Sequence, residues 1–122
     1  MKIHEYQAKE TLARYGVLVP NGSVARSPEE ARRETLDLGG QAVLKAQVHA
    51  GGRGRAGGVK VVRSPEEAEQ VAHSMLGKKL VTTQTDAGGV PVNEVLVEEL
   101  AEIRRELYLA ITVDPVQRYP VM

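Results

Sequence analysis

The chain of 122 residues has no cysteine, no tryptophan and no phenylalanine, and Tyr6, Tyr15, Tyr108 and Tyr119 are its only tyrosines. Without cysteine there is no disulfide framework, no thiolate metal ligand and no cysteine nucleophile, which fits a reducing compartment. So few aromatic rings offer thin stacking platforms, which argues against a module that binds single-stranded nucleic acid. Net charge is absent too: 16 Lys and Arg offset 16 Asp and Glu, so the whole chain has no bias toward nucleic acid or anionic membrane. No apolar run approaches the roughly 20 residues of a membrane helix, and Met1-Lys2-Ile3-His4 lacks the layout of a secretion signal. These absences point to a cytoplasmic protein. The length allows one domain with a modest core and is short for a complete two-lobed enzyme.

One absence is local. From Leu38 to Pro65 there is no Asp or Glu, while Lys45, Arg53, Arg55, Lys60 and Arg63 all fall inside. Within it, Gly51 to Gly58 holds five glycines in eight residues, too many for a helix or a stable strand. Ala42-Val43-Leu44 and Val59-Lys60-Val61-Val62 flank it as strand-like runs. The local expectation is strand, glycine-rich turn, strand. Bare backbone N–H groups beside guanidinium and ammonium groups suit phosphate oxygens, so a polyphosphate ligand is the leading inference. The plainer reading is a surface hairpin with solvated arginines.

Context narrows the glycine pattern. Gly52-Arg53-Gly54-Arg55-Ala56-Gly57 fits G-x-G-x-x-G, but a strand rather than a helix follows it, which removes a dinucleotide fold. No Lys-Ser/Thr follows the last glycine, so the Walker A pattern fails. Extended to Val59 the run fits the kinase form G-x-G-x-x-G-x-V, yet the chain has neither H-R-D nor D-F-G. A hairpin flap over a nucleotide survives.

Along the chain, residues 3 to 15 predict a helix, with Glu5/Lys9 and Glu10/Arg14 at i,i+4 spacing, an apolar side of Ile3, Ala8, Leu12 and Tyr15, and Gly16 as its stop. Val24-Ala25-Arg26-Ser27-Pro28-Glu29-Glu30-Ala31 recurs nearly verbatim as Val61-Val62-Arg63-Ser64-Pro65-Glu66-Glu67-Ala68. Each copy ends a strand and starts a helix, with Ser as N-cap, Pro at the first position and a capping-box Glu. The helices should end near Leu38 and Leu76, the second with Ala68, Val71, Ala72, Met75 and Leu76 on one face. Lys78 to Gln84 suggests a short strand, and Asn93 to Leu100 a buried strand ending in charge. Of the acidic residues that follow, Glu99 and Glu102 read as a solvated edge. Arg105 to Asp114 alternates like a strand, Asp114-Pro115 begins a turn, and Tyr119 to Met122 opens a returning strand, as in a piece of something longer.

His4-Glu5-Tyr6-Gln7-Ala8-Lys9, Lys45-Ala46-Gln47-Val48-His49-Ala50-Gly51-Gly52-Arg53-Gly54, Ala56-Gly57-Gly58-Val59-Lys60, Leu80-Val81-Thr82 with Gln84-Thr85-Asp86, and Glu106-Leu107-Tyr108-Leu109 together resemble the succinate-CoA ligase (succinyl-CoA synthetase) β-subunit family. The likeness begins at Met1 and covers essentially the whole chain. It implies an α+β ATP-grasp fold, with a first lobe at residues 20–101 and a second lobe that takes residues 1–19 and begins again at 102–122. It implies that Lys45 contacts nucleotide phosphates, that Gly52, Arg53 and Gly54 form the phosphate flap, and that Glu98 and Glu106 flank the adenosine. Ala101 stands where the family often carries a hydroxyl near the base, leaving only backbone contact. Arg55 in place of a common Lys, Ala110 in place of Gly and Glu102 in place of Asp are further departures.

The family reaction interconverts succinate, CoA and ATP (or GTP) with succinyl-CoA, nucleoside diphosphate and phosphate, within the tricarboxylic acid cycle. It runs through a phosphohistidine on a partner α subunit. None of His4, His49 and His73 is expected to be that residue, though His49 lies beside the flap. The family's Mg2+ ligands and CoA domain would follow Met122, leaving this segment with no catalytic residue, no metal ligand and no turnover of its own. Its apolar end, from Arg105, is expected to self-associate. The rival expectations are a malate- or citrate-CoA ligase β subunit, and a non-catalytic module binding RNA or other anions.

Overall fold

A computed structural model describes residues 2–122. Its centre is an antiparallel sheet in the order β1-β6-β2-β3, formed by Gly22–Ala25 (β1), Ala42–Ala46 (β2), Val59–Val62 (β3) and Val95–Glu98 (β6). Period-two alternation sorts β2 between two faces. Ala42, Leu44 and Ala46 are buried with Val95 and Val97 of β6 in the apolar core, whereas Val43 and Lys45 are only partly covered. Two helices, Pro28–Asp37 (α2) and Pro65–Met75 (α3), pack on each other and close the core, contributing Ala31, Ala68, Ala72 and Met75. Val71 and Leu76 pack against it from the side, as the helical spacing predicts.

The duplicated segment is two copies of one helix start. Ser27 Oγ accepts a hydrogen bond from Glu30 N at 3.1 Å, and Ser64 Oγ accepts one from Glu67 N at 3.1 Å. The returning carboxylates reach one residue further back than a capping box requires. Glu30 accepts from Arg26 N and Glu67 from Arg63 N, both at 2.7 Å. Each cap thereby ties the end of a strand to the first turn of a helix.

The first helix (α1) spans Glu5–Arg14, shorter at both ends than the expected 3 to 15. His4 is its N-cap, and Gly16, at φ 80°, follows its C-cap Tyr15. No residue of α1 is buried, and Ile3, Leu12 and Tyr15 are exposed. The expected apolar side is there, but nothing within the described residues covers it.

Two expected strands shrink. Lys78 to Gln84 reduces to Lys79–Leu80 (β4), paired with Val90–Pro91 (β5). Thr82 Oγ1 accepts from Gln84 N and Thr85 Oγ1 from Thr82 N, both at 3.0 Å. These threonines bind the local backbone in a turn and take it out of any ladder. Arg105 to Asp114 reduces to Thr112–Val113 (β7), which pairs with Pro120–Val121 (β8), so the expected returning strand is present. Residues 101–111 form no strand and are exposed throughout; alternation alone makes no strand where no neighbour offers a ladder. Among the described residues no helix is long and apolar enough to cross a membrane.

Candidate functional site

The sheet face away from α2 and α3 carries the charge. Lys45 lies opposite Leu96 in the β2–β6 ladder and Val43 opposite Glu98. Lys45 and Glu98 are therefore diagonal neighbours on one face, a separation long side chains span. Lys45 Nζ donates to Glu98 Oε1 at 2.6 Å and to Glu5 Oε1 at 3.0 Å. Glu5 and Lys9, one turn apart on α1, lie over the same face: Lys9 Nζ pairs with Glu5 Oε1 at 3.0 Å and with Glu98 Oε2. Arg53 reaches in from the glycine loop, its Nη2 donating to Glu5 Oε2 at 2.5 Å and its Nη1 to the Ala46 carbonyl at 2.8 Å.

Three cations thus share two carboxylates, leaving one positive charge in a half-buried cluster. Burial opposes ionisation of Glu5, but hydrogen bonds from Arg53, Lys9 and Lys45 outweigh it and draw its carboxyl down to about 2. Burial likewise works against the Lys45 ammonium, yet Glu98 and Glu5 raise its pKa above the ordinary lysine value. Both groups are held charged by their partners.

The loop between β2 and β3 is wound into a tight turn, with Ala56 N donating to Gly52 O at 3.2 Å and Gly58 N to Arg53 O at 2.8 Å. Gly52 sits at φ 77°, a conformation that L side chains rarely adopt. A Cβ on buried Gly58 would stand 2.8 Å from Leu80 Cδ2, so glycine also sets how closely the loop lies on β4. Gly51 N donates to Gln84 Oε1 at 2.7 Å. Among the described residues, the backbone N–H groups of Gly52, Arg53, Gly54 and Arg55 meet no protein acceptor. These are free donors at the loop tip, of the kind that receive anions. A cleft of about 790 Å³ opens there, lined by Glu5, His49, Gly51, Gly52, Arg53 and Gly54 among others. A second, of about 570 Å³, lies along α1 and β1 and reaches Lys9, Leu96 and Glu98.

Lys45, Arg53 and Glu98 therefore meet in one charged cluster through Glu5, and Gly52, Arg53 and Gly54 line the cleft that Glu5 borders. Ala101 and Glu106 lie on the exposed segment after β6, with no hydrogen bond or ion pair among the described residues. Glu99 does more than edge the surface: it accepts from Asn21 N at 3.0 Å and Asn21 Nδ2 at 3.1 Å, tying β6 to the start of β1. His49 stacks on His4 with ring centroids 4.0 Å apart, joining the glycine loop to the cap of α1. Burial and the neighbouring His49 hold the His4 pKa below its usual value. Sequence reasoning missed Glu5, Lys9 and Gln84 as members of the site. Glu5 and Lys9 read only as an i,i+4 pair of the first helix, and no local pattern announces partners on β2 and β6. Among the described residues no three His, Asp or Glu side chains gather in a way that holds a metal ion.

Comparison with known proteins gives a consistent result. The ATP-grasp domain family matches residues 2–122. The succinate–CoA ligase [ADP-forming] subunit beta of Geobacter sulfurreducens is 51% identical over 114 residues, covering 93% of this chain and 30% of the relative. That of Parvibaculum lavamentivorans is 54% identical over 115 residues, with the same coverages of 93% and 30%. That of Solibacter usitatus is 53% identical over 121 residues, covering 99% and 32%. The chain spans about a third of the length of these curated relatives. Among solved structures, the dinucleotide forming acetyl-coenzyme A synthetase 1 of Ca. Korarchaeum cryptofilum, in complex with coenzyme A, acetyl-coenzyme A and a phosphorylated phosphohistidine segment, superposes with a TM-score of 0.71. It is 30% identical, over 98% of this chain and 50% of that one. With a family match over every described residue, an α+β sheet covered by helices on one face and a cationic glycine hairpin on its open side, the chain belongs to the ATP-grasp domain family.

Proposed function

We propose that the chain is the N-terminal, nucleotide-holding part of a succinate–CoA ligase β subunit, which works with an α subunit to interconvert succinate, CoA and ATP or GTP with succinyl-CoA, nucleoside diphosphate and phosphate. The observation that carries this reading is the charged cluster at the glycine hairpin, where Lys45 and Arg53 share the Glu5 carboxylate and the loop tip carries free backbone donors. Lys45 and Arg53 neutralise phosphate oxygens, the N–H groups of Gly52, Arg53 and Gly54 receive them, and Glu98 fixes the Lys45 ammonium from the buried side. Glu98, Ala101 and Glu106 border the adenosine once the segment after β6 folds over the site. Relatives at about half identity are succinate–CoA ligase β subunits, and the structural neighbour is a complex with coenzyme A and a phosphohistidine segment. Both support the reading.

No three carboxylate or imidazole groups gather among the described residues, and the Mg2+ ligands are assigned to the rest of the longer β subunit. Residues 20–101 are assigned to the first lobe, and 1–19 with 102–122 to the second. The uncovered side of α1 and the exposed run 101–111 support that division. A cytoplasmic location is part of the same proposal.

The test is turnover by the full-length β subunit with its α partner, measured as succinate- and CoA-dependent release of nucleoside diphosphate, with GTP, malate and citrate as competing arms. Lys45→Met should lower kcat/KM for the nucleotide about a hundredfold. Turnover only with malate or citrate would move the assignment to those ligases. A Lys45→Met enzyme with unchanged kcat/KM for the nucleotide would remove the proposed site.

A further inference from the structure

Glu5 holds the cations of the phosphate site assigned above. Its two carboxylate oxygens accept from Lys45, Lys9 and Arg53, and its side chain lines the same cleft as Gly51, Gly52, Arg53 and Gly54. The helix that bears it has no buried residue. Its seat on the sheet consists of the Glu5 pairs, Lys9 on Glu98, the His4–His49 stack, the 3.8 Å approach of His4 to Glu94, and Tyr6 N donating to Gln47 Oε1 at 3.3 Å. The Glu5 contacts thus belong to both sets: they fill the cationic site and they form part of the seat of the helix.

We propose that Glu5 is an internal anion held in the phosphate site, which an incoming polyphosphate must displace from Arg53 and Lys45, so that nucleotide binding loosens α1 from the first lobe. This rests on the assignment of the phosphate site given above and adds a positioning residue to it. Two ligands that compete for the same donors are linked reciprocally. Whatever favours the Glu5 contacts weakens the polyphosphate, and the bound polyphosphate weakens the seat of α1. Once Glu5 is released, Lys45 still donates to Glu98 Oε1 from within the sheet, so the buried carboxylate keeps a partner when α1 moves. The arrangement lets the empty site avoid exposing three cations to one another, and gives the helix a reason to move only when ligand arrives.

The experiment uses the full-length β subunit with its α partner and inorganic tripolyphosphate as probe, with calorimetric affinity and amide hydrogen exchange as readouts. Glu5→Gln keeps the shape while removing the charge and replacing one acceptor oxygen with an NH2 donor. It should tighten tripolyphosphate about tenfold, as expected if the vacated arrangement is populated about a tenth of the time in the wild type. In the unmodified protein, tripolyphosphate should lower amide protection across residues 5–14 while protection of β2 and β6 holds or rises. If Arg53→Ala and Lys45→Met abolish tripolyphosphate binding but Glu5→Gln leaves it equal or weaker, the displacement proposal falls and the phosphate site stands. Tighter binding by Glu5→Gln with unchanged α1 protection in the wild type also overturns it, since Glu5 would then be a fixed repelling charge. If tripolyphosphate binds the unmodified protein no differently from Lys45→Met, the phosphate site itself is lost, and the displacement with it.

Discussion

Lys45 and Glu5 show how a charge is kept near an apolar core. A lone ammonium between β2 and β6 would be driven toward neutrality, and a lone carboxylate beside it likewise. Together, with Arg53 and Lys9, they stay ionised. The sign of the pH dependence follows. Glu5 has a folded pKa of about 2 against an ordinary value of 4.5, so its contribution is complete above pH 4.5 and is lost as pH falls through about 2. That contribution is on the order of 2 kcal/mol once solvent screening is allowed for. Denaturant unfolding between those pH values should show Glu5→Gln losing less stability on acidification than the wild type, and equal slopes would contradict the ion-pair account. Lys45, with its pKa raised, contributes fully below the ordinary lysine value, and its contribution fades as pH rises through its folded pKa.

This cluster also marks where sequence reading stops. Lys45 and the glycine loop are legible because they are contiguous and chemically unlike their surroundings. The role of Glu5 is not legible, because it depends on α1 crossing a face formed by strands some 40 and 90 positions away, and a surface i,i+4 pair looks the same from sequence. Gln84 is hidden for the same reason: its bond to Gly51 spans two loops.

The elements that were most legible are those whose ends carry their own chemistry. Ser27 and Ser64 accept the same hydrogen bond at the same distance, so α2 and α3 begin where the repeat says they begin. Ser27→Ala and Ser64→Ala should each cost about 1 kcal/mol. The caps share no partner, so the double variant should lose about 2 kcal/mol, measurable as additive shifts in urea midpoint at constant slope. A double variant no worse than either single one would mean the caps act as a unit. Elements that failed to form lacked a partner rather than a propensity. Leu107, Leu109 and Ile111 alternate as a strand should, yet among the described residues no neighbouring strand accepts the ladder. At Lys79–Leu80 the competing threonine hydroxyls end the strand early.

Across the whole molecule, apolar surface divides unevenly. The sheet and α2–α3 bury a core made mostly of Ala and Val, while Leu107, Tyr108, Leu109 and Ile111 are each at least 70% exposed and Ile3, Leu12 and Tyr15 stand open along α1 and at its ends. An uncovered patch of this kind invites association. The 122-residue chain on its own should therefore sediment as a concentration-dependent mixture of monomer and larger species, and Leu107→Ser with Ile111→Ser should shift it to monomer. A concentration-independent monomer for the unmodified chain would contradict this.

The contrast between the two ways of fastening has one more outcome. Concentrated sulfate tightens oily interiors, because the ion is kept away from the protein surface, yet the same electrolyte shields exposed charge. The base of α1 is joined by ions and the sheet by hydrocarbon, so brine should act as a lubricant at one seam of this small protein and as a clamp at the other.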